Sequence, residues 1–268
     1  MADGIAAAFA KARGDGRAAL MPYMMGGFPD ADTSAVIAEA YVEAGADLIE
    51  LGVPFSDPLA DGPVIHAAAT DAIAAGATLE RVLALCEQVA DRVPVVPMCY
   101  ANMALAHGED FARLLADAGA AGAMVPDLPL EEAGPLGEGL ERAGIALVPL
   151  VAPTTPEERR RRICEAAEGF VYVVSDTRVT GERDELPPAL GELVAAVKDA
   201  STVPVAVGFG IGTPAQAATV GEIADGVIIG SRLVRAVGDA DGPEQAVSAV
   251  GEFLRQCREA MSSSRNVG

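Results

Sequence analysis

The chain has 268 residues, of which 39 are acidic and 19 are basic, so its formal net charge is −20. A field of this sign repels phosphate backbones and anionic lipids, which argues against nucleic acid or a membrane surface as a partner. Hydrophobic residues make up 51% of the chain, which excludes general disorder and predicts a large core. Aromatic residues contribute only 4%, so this core is expected to consist mainly of Ala, Val, Leu and Ile.

The scarce residue types narrow the possible chemistry. Lysine occurs only at Lys11 and Lys198, both in helix-like segments, so no lysine is expected at a strand end to form a Schiff base. Histidine occurs only at His66 and His107, which leaves no histidine cluster for a metal ion. The cysteines lack metal or redox spacing and are predicted to be buried thiols; they are Cys86, Cys99, Cys164 and Cys257. Catalysis is therefore expected to depend on carboxylates.

The order of the predicted elements indicates the fold class. Strands are predicted near residues 18–24, 47–53, 93–100, 122–127, 145–152, 169–175, 203–209 and 226–231. Helices are predicted near residues 30–43, 78–92, 109–118, 130–143, 156–168, 188–200, 214–222 and 243–260. Strands joined by helix-length connections must be parallel, and eight such units are typical of a single (β/α)₈ barrel, here with an additional N-terminal helix. An open doubly wound sheet is the alternative, which the absence of a GxGxxG motif after the first strand disfavours.

We expect one catalytic domain over residues 1–261 and a disordered tail over residues 262–268. The N-terminus does not combine a basic start with an apolar run, so no secretory signal is expected. No uninterrupted apolar stretch approaches the roughly 18 to 20 residues that a membrane span requires. These features predict a cytoplasmic protein.

Glu50 is the first candidate catalytic residue. Alternation along the second strand places Ile49 and Leu51 on the outer face of the barrel and Glu50 inside it. A buried carboxylate is costly unless it is paired or neutral. Glu50 is thus either a core residue bonded to a neighbouring hydroxyl or a general acid/base whose pKa is raised by burial.

Asp61 follows on the loop that leaves the same strand. Asp61-Gly62 is also an ordinary turn pair. Glu50 and Asp61 would lie at the same end of the barrel. The buried Glu50 could then act as the acid, while the more exposed Asp61 stays ionised.

Glycines cluster at the C-terminal ends of the last two predicted strands, at Gly208, Gly210 and Gly212 and again at Gly230 before Ser231. In a barrel these positions commonly form a phosphate site at the N-terminus of a short helix. Tight turns are the other reason for glycine here. Arg232 and Arg183 are candidate assisting cations.

Residues 50–63, with the sequence ELGVPFSDPLADGP, closely resemble the signature of the tryptophan synthase alpha subunit. Further matching segments lie at residues 125–129 with 131–132, 152–159, 169–172 with 174–175, 179–181 and 208–211, so the resemblance spans almost the whole chain. The chain departs from the family pattern at Arg178, where the family has glycine.

The resemblance implies a (β/α)₈ barrel that cleaves indole-3-glycerol phosphate to indole and glyceraldehyde 3-phosphate without a cofactor or metal of its own. It also implies docking on a beta subunit that carries pyridoxal phosphate, as an alpha2-beta2 complex. The implied catalytic residues are Glu50 as acid/base, Asp61 at the ring nitrogen and Tyr172 near the reacting carbons. The implied phosphate site comprises Gly181, Gly210, Gly230 and Ser231, the implied pocket and lid residues are Tyr23, Tyr100, Thr180 and Phe209, and the implied partner interface surrounds Asp57, Pro58 and Asn102.

Three other functions compete with this one. A stand-alone lyase that releases indole would use the same residues without an obligate partner. A non-catalytic subunit that binds the phosphate ligand and activates a beta partner would not need a buried carboxylate, so Glu50 and Asp61 argue against it. A phosphosugar isomerase on the same barrel is disfavoured by the long match at residues 50–63.

Overall fold

The computed structural model describes residues 2–175, 188–208 and 210–264. Within these ranges the chain forms nine parallel strands in one sheet and twelve α-helices. The strands are β1 Ala19–Met25, β2 Ile49–Gly52, β3 Val95–Met98, β4 Gly122–Met124, β5 Ala146–Val148, β6 Leu150–Val151, β7 Val171–Val174, β8 Val205–Gly208 and β9 Gly226–Ile229. The helices are α1 Ala2–Gly14, α2 Ala31–Glu43, α3 Pro63–Ala74, α4 Leu79–Val89, α5 Ala101–His107, α6 Asp110–Asp117, α7 Gly134–Arg142, α8 Glu157–Glu165, α9 Leu190–Ala200, α10 Pro214–Ile223, α11 Ser231–Gly238 and α12 Pro243–Ser264, with a 3₁₀ helix at Leu130–Glu132.

The strand order β5-β4-β3-β2-β1-β9-β8-β7-β6 confirms the predicted barrel. β1 pairs with both β2 and β9, so the first and last strands of the chain close the sheet there. The predicted N-terminal helix is also present as α1. Its Phe9 contacts Phe170 with ring centroids 5.8 Å apart, so α1 fills the N-terminal end of the barrel. The opposite, C-terminal end is where such barrels place their active sites.

The prediction of one continuous fifth strand over residues 145–152 is wrong. Pro149 separates β5 from β6, because proline has no N–H to donate to a neighbouring strand. β5 pairs with β4, and β6 pairs with β7. The Pro149 carbonyl accepts a hydrogen bond from the Tyr172 N–H at 2.9 Å, so the sheet changes partners at this residue.

Three helices, α3, α5 and α11, were absent from the predicted elements. α3 is rich in alanine, whereas α5 and α11 are short and begin just after β3 and β9, so none of the three has a long polar and apolar periodicity of its own. The predicted boundary after residue 261 falls inside α12, which continues to Ser264, and residues 265–268 lie outside the described part of the chain.

Side chains alternate between two apolar layers. Leu48 lies in the cluster inside the barrel, whereas Ile49 and Leu51 lie in the cluster between strands and helices. The cysteines are buried free thiols, as predicted. None of the described helices has both the length and the apolar character needed to cross a membrane.

A buried ion pair joins the loops at the N-terminal end of the barrel. Arg17 Nη2 donates to Asp47 Oδ1 at 2.9 Å, and the N–H of Leu20 donates to Asp47 Oδ2 at 2.8 Å. Arg17 and Asp47 are only 2% and 7% exposed. Removing one member therefore leaves the other charged and buried.

We expect Asp47→Ala to lower the free energy of unfolding by about 3–5 kcal/mol, because Arg17 would lose its buried counter-ion. Urea unfolding at pH 7 measures this loss. Asp110→Ala is the control, since Asp110 forms an exposed ion pair with Arg113 and its removal should cost less than about 1 kcal/mol. Equal losses of unfolding free energy in the two variants would show that burial does not make the Arg17–Asp47 pair more important for stability than an exposed pair.

Candidate active site

A cavity opens at the C-terminal end of the barrel, where the structure brings together seven of the residues predicted from the sequence. Its lining comprises Tyr23, Glu50, Ala60, Asp61, Gly62, Ile65, Met98, Met124, Pro126, Leu150, Tyr172, Gly210, Ile211, Ile228, Gly230 and Ser231. The predicted residues in this set are Tyr23, Glu50, Asp61, Tyr172, Gly210, Gly230 and Ser231. Two carboxyl groups, two phenol rings and a glycine-rich rim therefore face one space.

Glu50 lies inside the barrel on β2 and is 3% exposed. Its Oε2 atom is buried and has no hydrogen-bond partner within the described ranges. Burial, and then the nearby negative charge of Asp61, raises the pKa of Glu50 to about 8. The side chain is thus protonated at neutral pH, and Glu50 is one of the residues that line the cavity.

Asp61 lies on the loop between β2 and α3 and is only partly buried. Burial raises the pKa of Asp61 to about 6, although the Tyr100 hydroxyl and the charge of His66 both act in the opposite direction. At pH 7 Asp61 is therefore largely ionised while Glu50 is protonated. One wall of the cavity thus offers an acid and an anion together.

Two tyrosines from opposite sides of the barrel extend their hydroxyls over glycines of the next strand. A methyl group at Gly52 would lie 2.1 Å from the Tyr23 hydroxyl oxygen, and one at Gly208 would lie 2.1 Å from that of Tyr172. Burial raises the pKa of Tyr23 and Tyr172 well above the usual value. Both phenols remain protonated, and any residue larger than glycine would displace them.

Tyr100 does not border the cavity itself but supports the loop that carries Asp61. Its hydroxyl accepts a hydrogen bond from the Ala60 N–H at 3.1 Å, and its ring stacks on Phe55 with centroids 5.2 Å apart. Tyr100 precedes α5, whose first N–H, at Ala101, donates to Asp127 at 2.7 Å. The loop after β2 and the start of α5 thus form one connected rim.

The glycine-rich rim lies at the N-terminus of α11. Gly230 precedes this helix and lines the cavity with Ser231, and no described side chain caps the helix. The first N–H groups of a helix have no partner within the helix itself. Gly210, with φ of +84°, lines the cavity from the loop after β8. Arg232 is a candidate assisting cation from the sequence, but its guanidinium lies 4.8 Å from the centre of the Phe253 ring on α12, and Arg232 is not among the lining residues.

The residues predicted from the sequence do not include the apolar half of the cavity. It comprises Ile65, Met98, Met124, Pro126, Leu150, Ile211 and Ile228. Three of these residues can be found from the alternation of inward and outward side chains along the strands. Met98 and Met124 are the last residues of β3 and β4, and Ile228 is the last but one of β9. These side chains make a pocket suited to a flat apolar ring beside the two carboxyl groups.

The remaining predicted residues lie elsewhere or outside the described ranges. Thr180, Gly181 and Phe209, together with Arg178 and Arg183, fall outside them. Asp57 is exposed, and its Oδ2 accepts a hydrogen bond from Ser56 at 2.6 Å. Asn102 is exposed on α5, and Pro58 is partly buried beside Asp57. Within the described part of the chain, no three His, Cys, Asp or Glu side chains are placed to hold a metal ion.

Comparisons with known proteins agree with this geometry. A family model described as tryptophan synthase alpha chain matches residues 9–262. The tryptophan synthase alpha chain of Synechococcus sp. (strain CC9902) is 47% identical over 260 residues, covering 96% of each chain. That of Geobacillus stearothermophilus is 45% identical over 246 residues, covering 89% of this chain and 91% of the relative.

Solved structures are similar along nearly the whole chain. A structure of Mycobacterium tuberculosis tryptophan synthase has a TM-score of 0.88 with 37% identity, covering 96% of this chain and 97% of that one. The tryptophan synthase alpha subunit of Legionella pneumophila str. Paris has a TM-score of 0.86 with 34% identity, covering 97% and 98%. The chain belongs to the tryptophan synthase alpha chain family, the lyases that cleave indole-3-glycerol phosphate in tryptophan biosynthesis.

Proposed function

We propose that Glu50, Asp61 and Tyr172 carry out the family's lyase reaction in this chain, in the cytoplasm, as the alpha subunit of a complex with a tryptophan synthase beta subunit. The observation that supports this most strongly is the buried, unpaired and protonated Glu50 beside an ionised Asp61 in one cavity. When the surroundings of two carboxyl groups give them different pKa values, one can donate a proton while the other remains ionised, which is typical of active sites.

The proposed reaction needs no cofactor, because the indole ring of the substrate accepts the electrons. Protonated Glu50 donates its proton to indole C3, which forms the iminium-like indolenine. The carboxylate then removes the proton from the hydroxyl on the carbon attached to C3. The bond between these two carbons breaks, its electron pair returns to the ring, and indole and glyceraldehyde 3-phosphate form. Glu50 ends protonated, as it began.

Asp61 and Tyr172 are assigned supporting parts in this reaction. The indolenine carries positive charge at its ring nitrogen, which an ionised Asp61 would stabilise. Tyr172 extends over Gly208 into the cavity and would restrict the position of the reacting carbons. The apolar side chains opposite, among them Met98 and Met124, would hold the ring.

The N–H groups at the N-terminus of α11 are proposed to bind the phosphate, with Gly210, Gly230 and Ser231 around it. Helix N-termini attract anions through unpaired N–H groups and the helix dipole. A local site of this kind is needed because a net charge of −20 offers the phosphate no general attraction. Thr180, Gly181 and Phe209 are proposed to complete the site and its lid.

The beta subunit is proposed to dock around Asp57, Pro58 and Asn102. These residues lie on the rim formed by the loop after β2 and by α5, which the Ala60–Tyr100 hydrogen bond joins. The rim also exposes Leu59 and Leu105, at 82% and 67%, which are large apolar side chains available for contact.

Indole release from indole-3-glycerol phosphate, with and without a tryptophan synthase beta subunit, tests the proposed function. We expect slow release by the purified chain and faster release when the partner is added. Fast release without the partner would indicate a stand-alone lyase. No release in either reaction, from a folded chain, would contradict the proposed catalysis and indicate a binding subunit.

A further inference from the structure

Two buried polar side-chain atoms lack a hydrogen-bond partner within the described ranges, and both belong to side chains that line the cavity. They are Glu50 Oε2 and the Tyr23 hydroxyl. Buried polar groups are nearly always paired in folded proteins, so two unpaired atoms on side chains that line one cavity point to a ligand that pairs them. Glu50 already has a proposed part, whereas the Tyr23 hydroxyl is unexplained.

The position of Tyr23 shows which part of a ligand it would meet. Tyr23 on β1 is directly opposite Glu50 on β2 in the sheet register. Its hydroxyl lies over Gly52, at the end of β2. At the opposite end of the Tyr23 side chain, Cβ and Cδ1 would lie 3.7 Å from a methyl group at Gly230. The ring therefore extends between the proposed phosphate site and the proposed acid.

In a molecule with a phosphate at one end and a reacting ring carbon at the other, this intermediate region holds the connecting chain. We propose that the Tyr23 hydroxyl hydrogen-bonds a hydroxyl of that chain, and so positions the substrate and selects for polyol phosphates over phosphates with an apolar chain. The inference rests on the proposed function. It makes Tyr23, which is otherwise only a residue of the cavity lining, a residue that determines substrate specificity.

Gly52 supports this assignment independently. A side chain at residue 52 would collide with the Tyr23 ring as well as its hydroxyl, with contacts of 2.7 and 3.0 Å to Cζ and Cε2. The glycine therefore leaves space that the phenol needs. A phenylalanine in place of Tyr23 would fit the same space without offering a donor.

The test compares two ligands in two proteins that cannot turn over. The ligands are indole-3-glycerol phosphate and 3-(indol-3-yl)propyl phosphate, which has the same ring and phosphate but no chain hydroxyls. The proteins are Glu50→Gln and the double variant Glu50→Gln with Tyr23→Phe. We expect the second substitution to weaken binding of the glycerol ligand about tenfold and to leave binding of the propyl ligand unchanged, because it removes a hydrogen bond that only the former makes.

Tyr41→Phe is the matched control, since Tyr41 is also buried but its hydroxyl donates to the Tyr23 carbonyl at 3.2 Å, outside the cavity. We expect this variant to lower the melting temperature without changing either affinity. Tyr23→Phe should not lower the melting temperature, because its hydroxyl has no partner to lose in the described structure of the free protein.

Equal weakening for both ligands, or none for the glycerol ligand, would overturn the inference. So would a fall in melting temperature as large as that of Tyr41→Phe, since it would show a structural role. If Glu50→Gln with Tyr23 intact binds neither ligand while remaining folded, the proposed function fails as well, which is distinguishable from failure of the Tyr23 assignment alone.

Discussion

Glu50→Gln should lower turnover of indole-3-glycerol phosphate by about 10²- to 10⁴-fold or more while the protein still binds the substrate. Glutamine has nearly the same shape as glutamic acid but can neither give a proton to indole C3 nor remove one from the chain hydroxyl. Single-turnover indole release measures the chemical step, and titration calorimetry measures binding. Glu39→Gln is the control, because Glu39 pairs with Arg92 on the surface and its variant should turn over like the wild type.

The same substitution should also change how stability depends on pH. In the unfolded chain Glu50 ionises near its ordinary pKa of 4.5, whereas in the folded protein it stays protonated to about pH 8. The unfolded state therefore binds fewer protons in this interval, and the free energy of unfolding falls as pH rises from about 4.5 to about 8. Glu50→Gln should remove this contribution, so the variant gains stability relative to wild type towards pH 8. Wild-type turnover, or an unchanged pH dependence of unfolding, would contradict the assignment of Glu50.

Local rules predict the residues that carry this chemistry well. The alternation of Leu48, Ile49 and Glu50 is a property of any strand, so the inward direction of Glu50 follows once β2 is recognised. The meeting of Glu50 with Asp61 also follows, because the loop leaving a strand remains near its end. The barrel itself follows from the repeated order of strand and helix.

Features that depend on contacts between distant segments were not predicted. Pro149 looks like one residue of a continuous apolar run, and only the pairing of β5 with β4 and β6 with β7 shows that it divides a strand. The Tyr23 hydroxyl is buried over Gly52 of β2, and its ring lies near Gly230 before α11. Its lack of a partner therefore depends on segments distant in the sequence. Arg232 follows Ser231 and is a candidate assisting cation from the sequence, but its guanidinium lies over the Phe253 ring of a helix near the end of the chain.

The pH profile of catalysis should show the two carboxyl groups acting in opposite protonation states. Burial raises the pKa of Asp61 to about 6 and that of Glu50 to about 8. Catalysis requires ionised Asp61 and protonated Glu50, so kcat/KM should rise as pH passes about 6 and fall as it passes about 8. Because the two groups interact, these apparent values belong to the pair.

Asp61→Asn tests this coupling directly. The variant should lose the rising limb, because the group that ionises near pH 6 is gone. The negative charge that helps to keep Glu50 protonated is also gone, but burial, the larger cause, remains. The falling limb of the residual activity should therefore move below pH 8 while staying above the ordinary carboxyl range. Asp71→Asn, an exposed change on α3, should leave both limbs in place. A falling limb that stays near pH 8 in Asp61→Asn would show that Asp61 does not act on Glu50, and the division into an acid and an anion would then be wrong.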